Sequence, residues 1–102
     1  MSQLYTSGTW TVLPEREEEF VAAWSDLAEW TSVAIPGSSW ATLLQHHEKP
    51  SVFLSFGPWE TAEAIEAWRA SPGFQERVGR LRALLEDFEP GVFDCRAHIS
   101  AS

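Results

Sequence analysis

Apolar and polar residues alternate with two different periods along this chain of 102 residues, and the switches between them mark its elements. Over residues 7–13 the period is two. Trp10 and Val12 point one way, Thr9, Thr11 and Leu13 the other, which predicts a first strand ended by Pro14. The acidic run of residues 15–19 suits a first helical turn, where carboxylates meet the positive end of the helix dipole. Phe20, Trp24, Leu27 and Ala28 then recur at helical spacing, widened by Ala23 and Trp30, to an end near Ser32 and before Pro36 and Gly37. Residues 40–47 predict a second strand, with Trp40, Thr42, Leu44 and His46 on one face and Ala41, Leu43, Gln45 and His47 on the other. A turn at Glu48, Lys49 and Pro50 leads into a third strand. There Val52, Leu54 and Phe56 alternate with Phe53 and Ser55, and Gly57 with Pro58 is expected to stop the pairing. Thr61 is the expected cap of a second helix, with Glu63 in its first turn and Thr61, Ile65 and Trp68 on one face. Ser71 as cap and Pro72 as first helical residue open a third helix, whose Phe74, Val78, Leu81 and Leu85 carry it to an end near Asp87. Residues 88–91 read as a break. Residues 92–99 read as the last strand, with Phe93, Cys95, Ala97 and Ile99 opposite Asp94, Arg96 and His98.

Strand, helix, strand, strand, helix pair, strand is the order of a ferredoxin-like split βαβ fold: α+β, an antiparallel sheet with helices on one face. Both faces of the hairpin formed by residues 40–56 carry apolar groups. A sheet covered on one side only would alternate more cleanly. Helices are expected on one face, and a second copy of the chain on the other. The length suits one domain, residues 1–102 with a core of about 7–99, and residues 1–5 and 100–102 are expected to fray.

Composition narrows the function. Tryptophan occurs 6 times in 102 residues, which provides for core packing and also for a cavity that accepts flat ligands. The formal charge of -8 leaves too little basic surface to neutralise a nucleic-acid backbone. The single cysteine, Cys95, allows no internal disulfide, fits a reducing cytoplasmic setting, and alternates with apolar neighbours as a buried, inert residue would. No apolar run is long enough to span a membrane, and none resembles a signal peptide.

Few residues offer chemistry of their own. His46 and His47 are adjacent, so on a strand they point to opposite faces; one could serve as a base, or both could be solvated near the turn. His98 reads as a surface or interface residue, and no histidine–carboxylate spacing suggests a metal site. Arg69, Arg77, Arg80 and Arg82 cluster within fourteen residues. Arg77 and Arg80 could hold an anionic substrate, or balance Glu76, Glu86 and Glu89.

The order of elements, Pro36-Gly37 before the second strand, and the run from Ser55 through Gly57-Pro58-Trp59 and Trp68 to Phe74 resemble the antibiotic biosynthesis monooxygenase family. Phe88-Glu89-Pro90 fits that family's final strand, so the resemblance covers about residues 7–99. It implies a homodimeric α+β barrel, sheet against sheet, with a pocket between sheet and helices in each subunit. It also implies a monooxygenase that oxidises a small aromatic phenol or quinol without metal or flavin, so no cofactor is expected. Trp59 matches a pocket tryptophan of the family's oxygenases. Ser55 stands where those oxygenases carry a substrate-polarising asparagine; a serine donates a hydrogen bond with shorter reach. Ser55 and Trp59 are therefore the expected catalytic residues. Trp24, Phe56, Trp68 and Phe74 are the expected substrate-binding residues. Haem-degrading relatives place a ligating histidine ten residues after the tryptophan that Trp68 matches, and Val78 occupies that position here, so haem breakdown is not expected. A non-catalytic dimeric module for a hydrophobic ligand, or a polyketide cyclase-like accessory protein, is the alternative reading of the same features.

Overall fold

The computed structural model describes residues 3–101. Strands β1 (Leu4–Val12), β2 (Thr42–Gln45), β3 (Val52–Trp59) and β4 (Leu85–Asp94) form an antiparallel sheet in the order β2-β3-β1-β4. Helix α1 (Glu17–Ala34) connects β1 to β2; α2 (Ala62–Ala70) and α3 (Pro72–Arg82) connect β3 to β4. Each crossover skips one strand, which is the ferredoxin-like split βαβ arrangement predicted from the order of elements.

Alternation along the central strands decides what each face carries. Phe53, Ser55 and Trp59 of β3 are buried while Leu54 is exposed. The register sets Phe53 beside Trp10 and Ser55 beside Gly8 on the helix side. There Trp10, Val12 and Phe53 meet Phe20 and Leu27 of α1 and Val78 and Leu81 of α3. The Phe20 ring lies 5.3 Å from that of Trp10 and 4.9 Å from that of Phe53, within the range of favourable aromatic pairs. Thr61 Oγ1 accepts the Ala64 N–H at 3.1 Å, and Ser71 Oγ accepts the Phe74 N–H at 3.2 Å, so both predicted caps hold their helices. Arg16 makes no capping bond to α1, whose first turn relies on Glu17, Glu18 and Glu19.

The structure departs from the sequence pattern at several boundaries. β1 begins at Leu4, so Leu4 and Tyr5 are paired, not frayed; Met1, Ser2 and Ser102 lie outside the described residues. β2 is confined to Thr42–Gln45, and residues 40 and 41 approach it as a loop. β3 does not stop at Gly57 and Pro58, which pair with Thr6 and Tyr5. By that point β2 has ended, so one flank of β3 is open save for a bridge from Ser38 to Trp59. α3 ends at Arg82, not Asp87, and residues 88–91 are part of β4 instead of a break. Pro90 is tolerated because β4 is an edge strand. Residues 95–101 form no strand, although the Cys95 N–H donates to the Gln3 carbonyl at 2.8 Å. Cys95 is half-buried where full burial was expected.

Candidate functional site

The core does not close completely between sheet and helices. A cavity of about 360 Å³ remains, within the size range of small-molecule sites. Its walls include Trp10 and Trp59 of the sheet, Trp24 of α1, Trp68 of α2, Phe74 of α3 and Phe88 of β4. The rings brace one another. Trp59 lies 4.9 Å from Trp68, and Trp68 lies 4.6 Å edge-on from Phe74. Trp10 stacks on Phe88 at 4.1 Å.

A buried indole N–H needs an acceptor, and three of these tryptophans take a hydroxyl. Trp10 Nε1 donates to Ser55 Oγ at 2.9 Å, Trp59 Nε1 to Thr6 Oγ1 at 3.0 Å, and Trp68 Nε1 to Thr31 Oγ1 at 2.9 Å. A hydroxyl can accept and also donate. Thr31 uses its own proton on the Leu27 carbonyl at 2.7 Å. Ser55 and Thr6 donate to no group of the described residues. Both border the cavity. The indole takes one of the two acceptor sites of each, so each keeps its proton to donate to what enters. Gly8 makes the Trp10–Ser55 contact possible: a Cβ at residue 8 would stand 2.8 Å from Trp10 Nε1.

Charge around the cavity is one-sided. Arg69 and Arg82 border it; no aspartate, glutamate or histidine of the described residues does. Among the described residues neither of these arginines pairs with a carboxylate.

Of the residues expected from sequence, Ser55, Trp59, Trp24, Trp68 and Phe74 all line the cavity. Trp59 offers its ring face only, because its N–H is committed to Thr6. Phe56 borders the cavity too, but its register opposite Ser7 and Thr42 places its ring on the far face of the sheet, where it meets Trp40 edge-on at 6.0 Å. Val78, 4% exposed, is part of the wall. His46 Nδ1 accepts the Glu48 and Lys49 N–H groups, each at 3.1 Å, and so shapes the β2–β3 turn. His47 and His98 are exposed. Arg77 Nε stands 3.3 Å from Asp26, without hydrogen-bond alignment, and its guanidinium lies 4.5 Å over the Trp30 ring. Arg80 pairs with Glu76 at 2.8 Å and reaches Asp26 at 3.8 Å. These two arginines thus tie α3 to itself and to α1.

Sequence reasoning did not single out Thr6, Trp10, Phe88, Arg69 or Arg82 as site residues. For three of them the signal was present. Thr6, Gly8 and Trp10 share one face of a strand by alternation. Arg82 follows Phe74 and Val78 at two successive four-residue steps, which is one stripe of a helix. Phe88 was hidden by the reading of its segment as a break.

Comparison with known proteins agrees with this architecture. The sequence profile of the antibiotic biosynthesis monooxygenase family matches residues 4–80. No curated protein sequence matches the chain. Among solved structures, SnoaB, a cofactor-independent oxygenase from Streptomyces nogalater, is similar with a TM-score of 0.89 and 25% identity, over 99% of this chain and 100% of that one. An asparagine-to-alanine variant of SnoaB matches equally well. A conserved protein from Methanosarcina mazei Go1 has a TM-score of 0.81 at 21% identity, over 91% of this chain and 92% of that one. With most of its length matched by the family profile, the chain belongs to the antibiotic biosynthesis monooxygenase family.

Proposed function

We propose that the protein is a cofactor-independent monooxygenase that oxidises a small aromatic phenol or quinol in this cavity. The observation that carries the reading is the Ser55 hydroxyl, which accepts the Trp10 N–H and spends its own proton on no group of the described residues, on the wall of a largely apolar, ring-lined space. In such a reaction the substrate supplies the electrons. A phenolate passes an electron to dioxygen, the two radicals combine at the ring carbon para to the oxygen, and the peroxide loses water. One oxygen atom ends in the quinone and one in water, and the para C–H and phenolic O–H hydrogens leave as that water. The protein must hold the ring flat, stabilise the phenolate oxygen and exclude solvent from the peroxide. Ser55 is suited to the second task, the faces of Trp59 and Trp68 to the first, and the enclosing aromatic walls to the third. The likeness to SnoaB supports the reading.

The working unit in this proposal is a homodimer. Leu44, Leu54, Phe93 and Trp40 leave an apolar surface on the sheet face away from the helices. The proposal does not extend to haem breakdown. Val78 at the wall offers iron no lone pair, and no histidine borders the cavity. Titration with haemin should therefore give no Soret shift of a histidine-ligated complex.

The test is oxygen uptake with a panel of naphthols and anthrones in the presence of a chelator. The expected result is one dioxygen consumed per quinone formed, with turnover about ten to a hundred times slower in Ser55→Ala. Ligand binding seen by tryptophan quenching with no oxygen uptake from any member would overturn it, and would favour a non-catalytic binding module.

A further inference from the structure

The charge balance of the cavity goes against that of the chain. Aspartate and glutamate outnumber lysine and arginine by 15 to 7, so an arbitrary patch of surface should meet acids first. Around the cavity the reverse holds. Its only charged side chains among the described residues are Arg69, from α2, and Arg82, from α3. The sheet strands, α1 and the loop before β2 contribute hydroxyls, rings and aliphatic groups but no titratable side chain. Met1, Ser2 and Ser102 bring no acidic or imidazole side chain either. Elsewhere on the helical side, Arg16, Arg77 and Arg80 each stand beside a carboxylate. Arg69 and Arg82 have no such partner among the described residues. An arginine side chain stays charged at any pH the fold survives and cannot take up a proton from substrate. Among the described residues the site thus holds hydrogen-bond donors and positive charge, and no carboxylate or imidazole base.

We infer that the ligand of this cavity is an organic anion, a flat aromatic that carries its own ionised oxygen, for which the protein supplies counter-charge and not a general base. This rests on the aromatic-pocket reading above and specifies its substrate class. Geometry adds a second constraint. Arg69 precedes α3 and Arg82 ends it, and a helix of 11 residues spans about 16 Å. The two arginines therefore stem from opposite ends of α3, one just before its start and one at its end, and both border the cavity. An elongated fused-ring acid, with a phenolic oxygen toward one end and a carboxylate toward the other, matches that separation. The hydroxyls of Ser55 and Thr6, whose protons are spent on no group of the described residues, border the same cavity from the sheet and can donate to ring oxygens. The ligand must then be acidic enough to ionise in solution or at the mouth of the site, so turnover should fall on the acid side at the ligand's own pKa, whichever ligand is used.

The experiment compares 6-hydroxy-2-naphthoate with its methyl ester by tryptophan quenching, in the wild-type protein and in Arg69→Gln/Arg82→Gln, with thermal melts confirming that the variant is folded. The acid should bind about tenfold tighter than the ester to the wild type, and the variant should lose that preference while keeping its affinity for the ester. Equal affinities in the wild type, or a preference that survives in the variant, would overturn the inference and leave the aromatic pocket standing. Failure of both compounds to bind would remove the pocket reading and the inference together. A second readout is spectral. Bound 4-nitro-1-naphthol should show naphtholate absorption at a pH where the free compound is neutral, because nearby cations favour the anion. A neutral bound spectrum would count against the assignment.

Discussion

On the helix side of the sheet, Trp10, Phe53 and Trp59 are no more than 4% exposed; on the other side Leu44, Leu54 and Phe93 are 48%, 44% and 57% exposed. Both faces are apolar, but the polar groups that accompany them differ. The inner face interleaves its large rings with Thr6, Gly8 and Ser55, whose hydroxyls or missing side chain give each indole a fixed seat. The outer face has ring contacts, such as Tyr5 with Trp40 at 6.3 Å and Trp40 with Phe56, and no comparable indole–hydroxyl pairs among the described residues. A face built to surround a void must hold its walls without help from what enters. A face built to be covered can leave its side chains free until the cover arrives. In the function proposed above, the first is the preorganised site and the second the surface that a second copy covers.

Four changes would break or sharpen this contrast. The largest effect is expected from Phe20→Ala, which empties the junction of Trp10 and Phe53 and should cost about 3–5 kcal/mol in urea denaturation, against under about 1 kcal/mol for Leu54→Ala in the monomer. Next comes Ser55→Ala. It strands the Trp10 N–H in a buried setting and should cost about 1–3 kcal/mol, a loss that Ser55→Thr would reduce if its hydroxyl keeps the indole bond. Paired Leu54→Asp and Phe93→Asp changes should shift sedimentation from twice the chain mass to the single chain, with quenching by cavity ligands retained. A wild-type protein that is already monomeric at micromolar concentration would remove the interface half of the contrast. The smallest effect is expected on the helical exterior, where Glu76→Gln breaks the exposed contact with Arg80 and should change stability by less than about 0.5 kcal/mol at moderate salt.

The fold was legible wherever one period held without competition. Residues 72–82 have a cap and residues 17–34 an acidic first turn; each has helical spacing and no strand-like alternative, and both are helices. The stretch from Leu81 to Gly91 was not, because Leu85 continues a helical stripe and also begins a β alternation. What decides is tertiary: Leu84 is buried under β1, and its carbonyl accepts the Leu13 N–H. Prolines misled twice for one reason. Pro58 and Pro90 look like breakers until the strand order shows an open flank beside each. The cavity residues brought by the β3–α2–α3 unit were readable as a cluster of aromatics at strand and helix spacing. Thr6 and Trp10 came from another strand, and nothing local in the sequence reveals which hydroxyl an indole will find across a register. Position around the helix also separated residues of like type. Arg82 and Arg80 are near neighbours in sequence and both exposed, and only the turn of α3 brings one to the cavity and the other to Asp26.

The 4.9 Å separation of the Trp59 and Trp68 rings, tilted by 39°, has an optical consequence. Two indoles so close and so fixed share their excited states, and chiral coupling between identical chromophores splits one absorption band into a pair of opposite sign. The folded protein should therefore show an exciton couplet in circular dichroism, superimposed on the helix and sheet signal. Replacing either partner with phenylalanine should abolish the couplet. A ligand that slides between the rings, or turns one of them, would change its amplitude before any chemistry occurs.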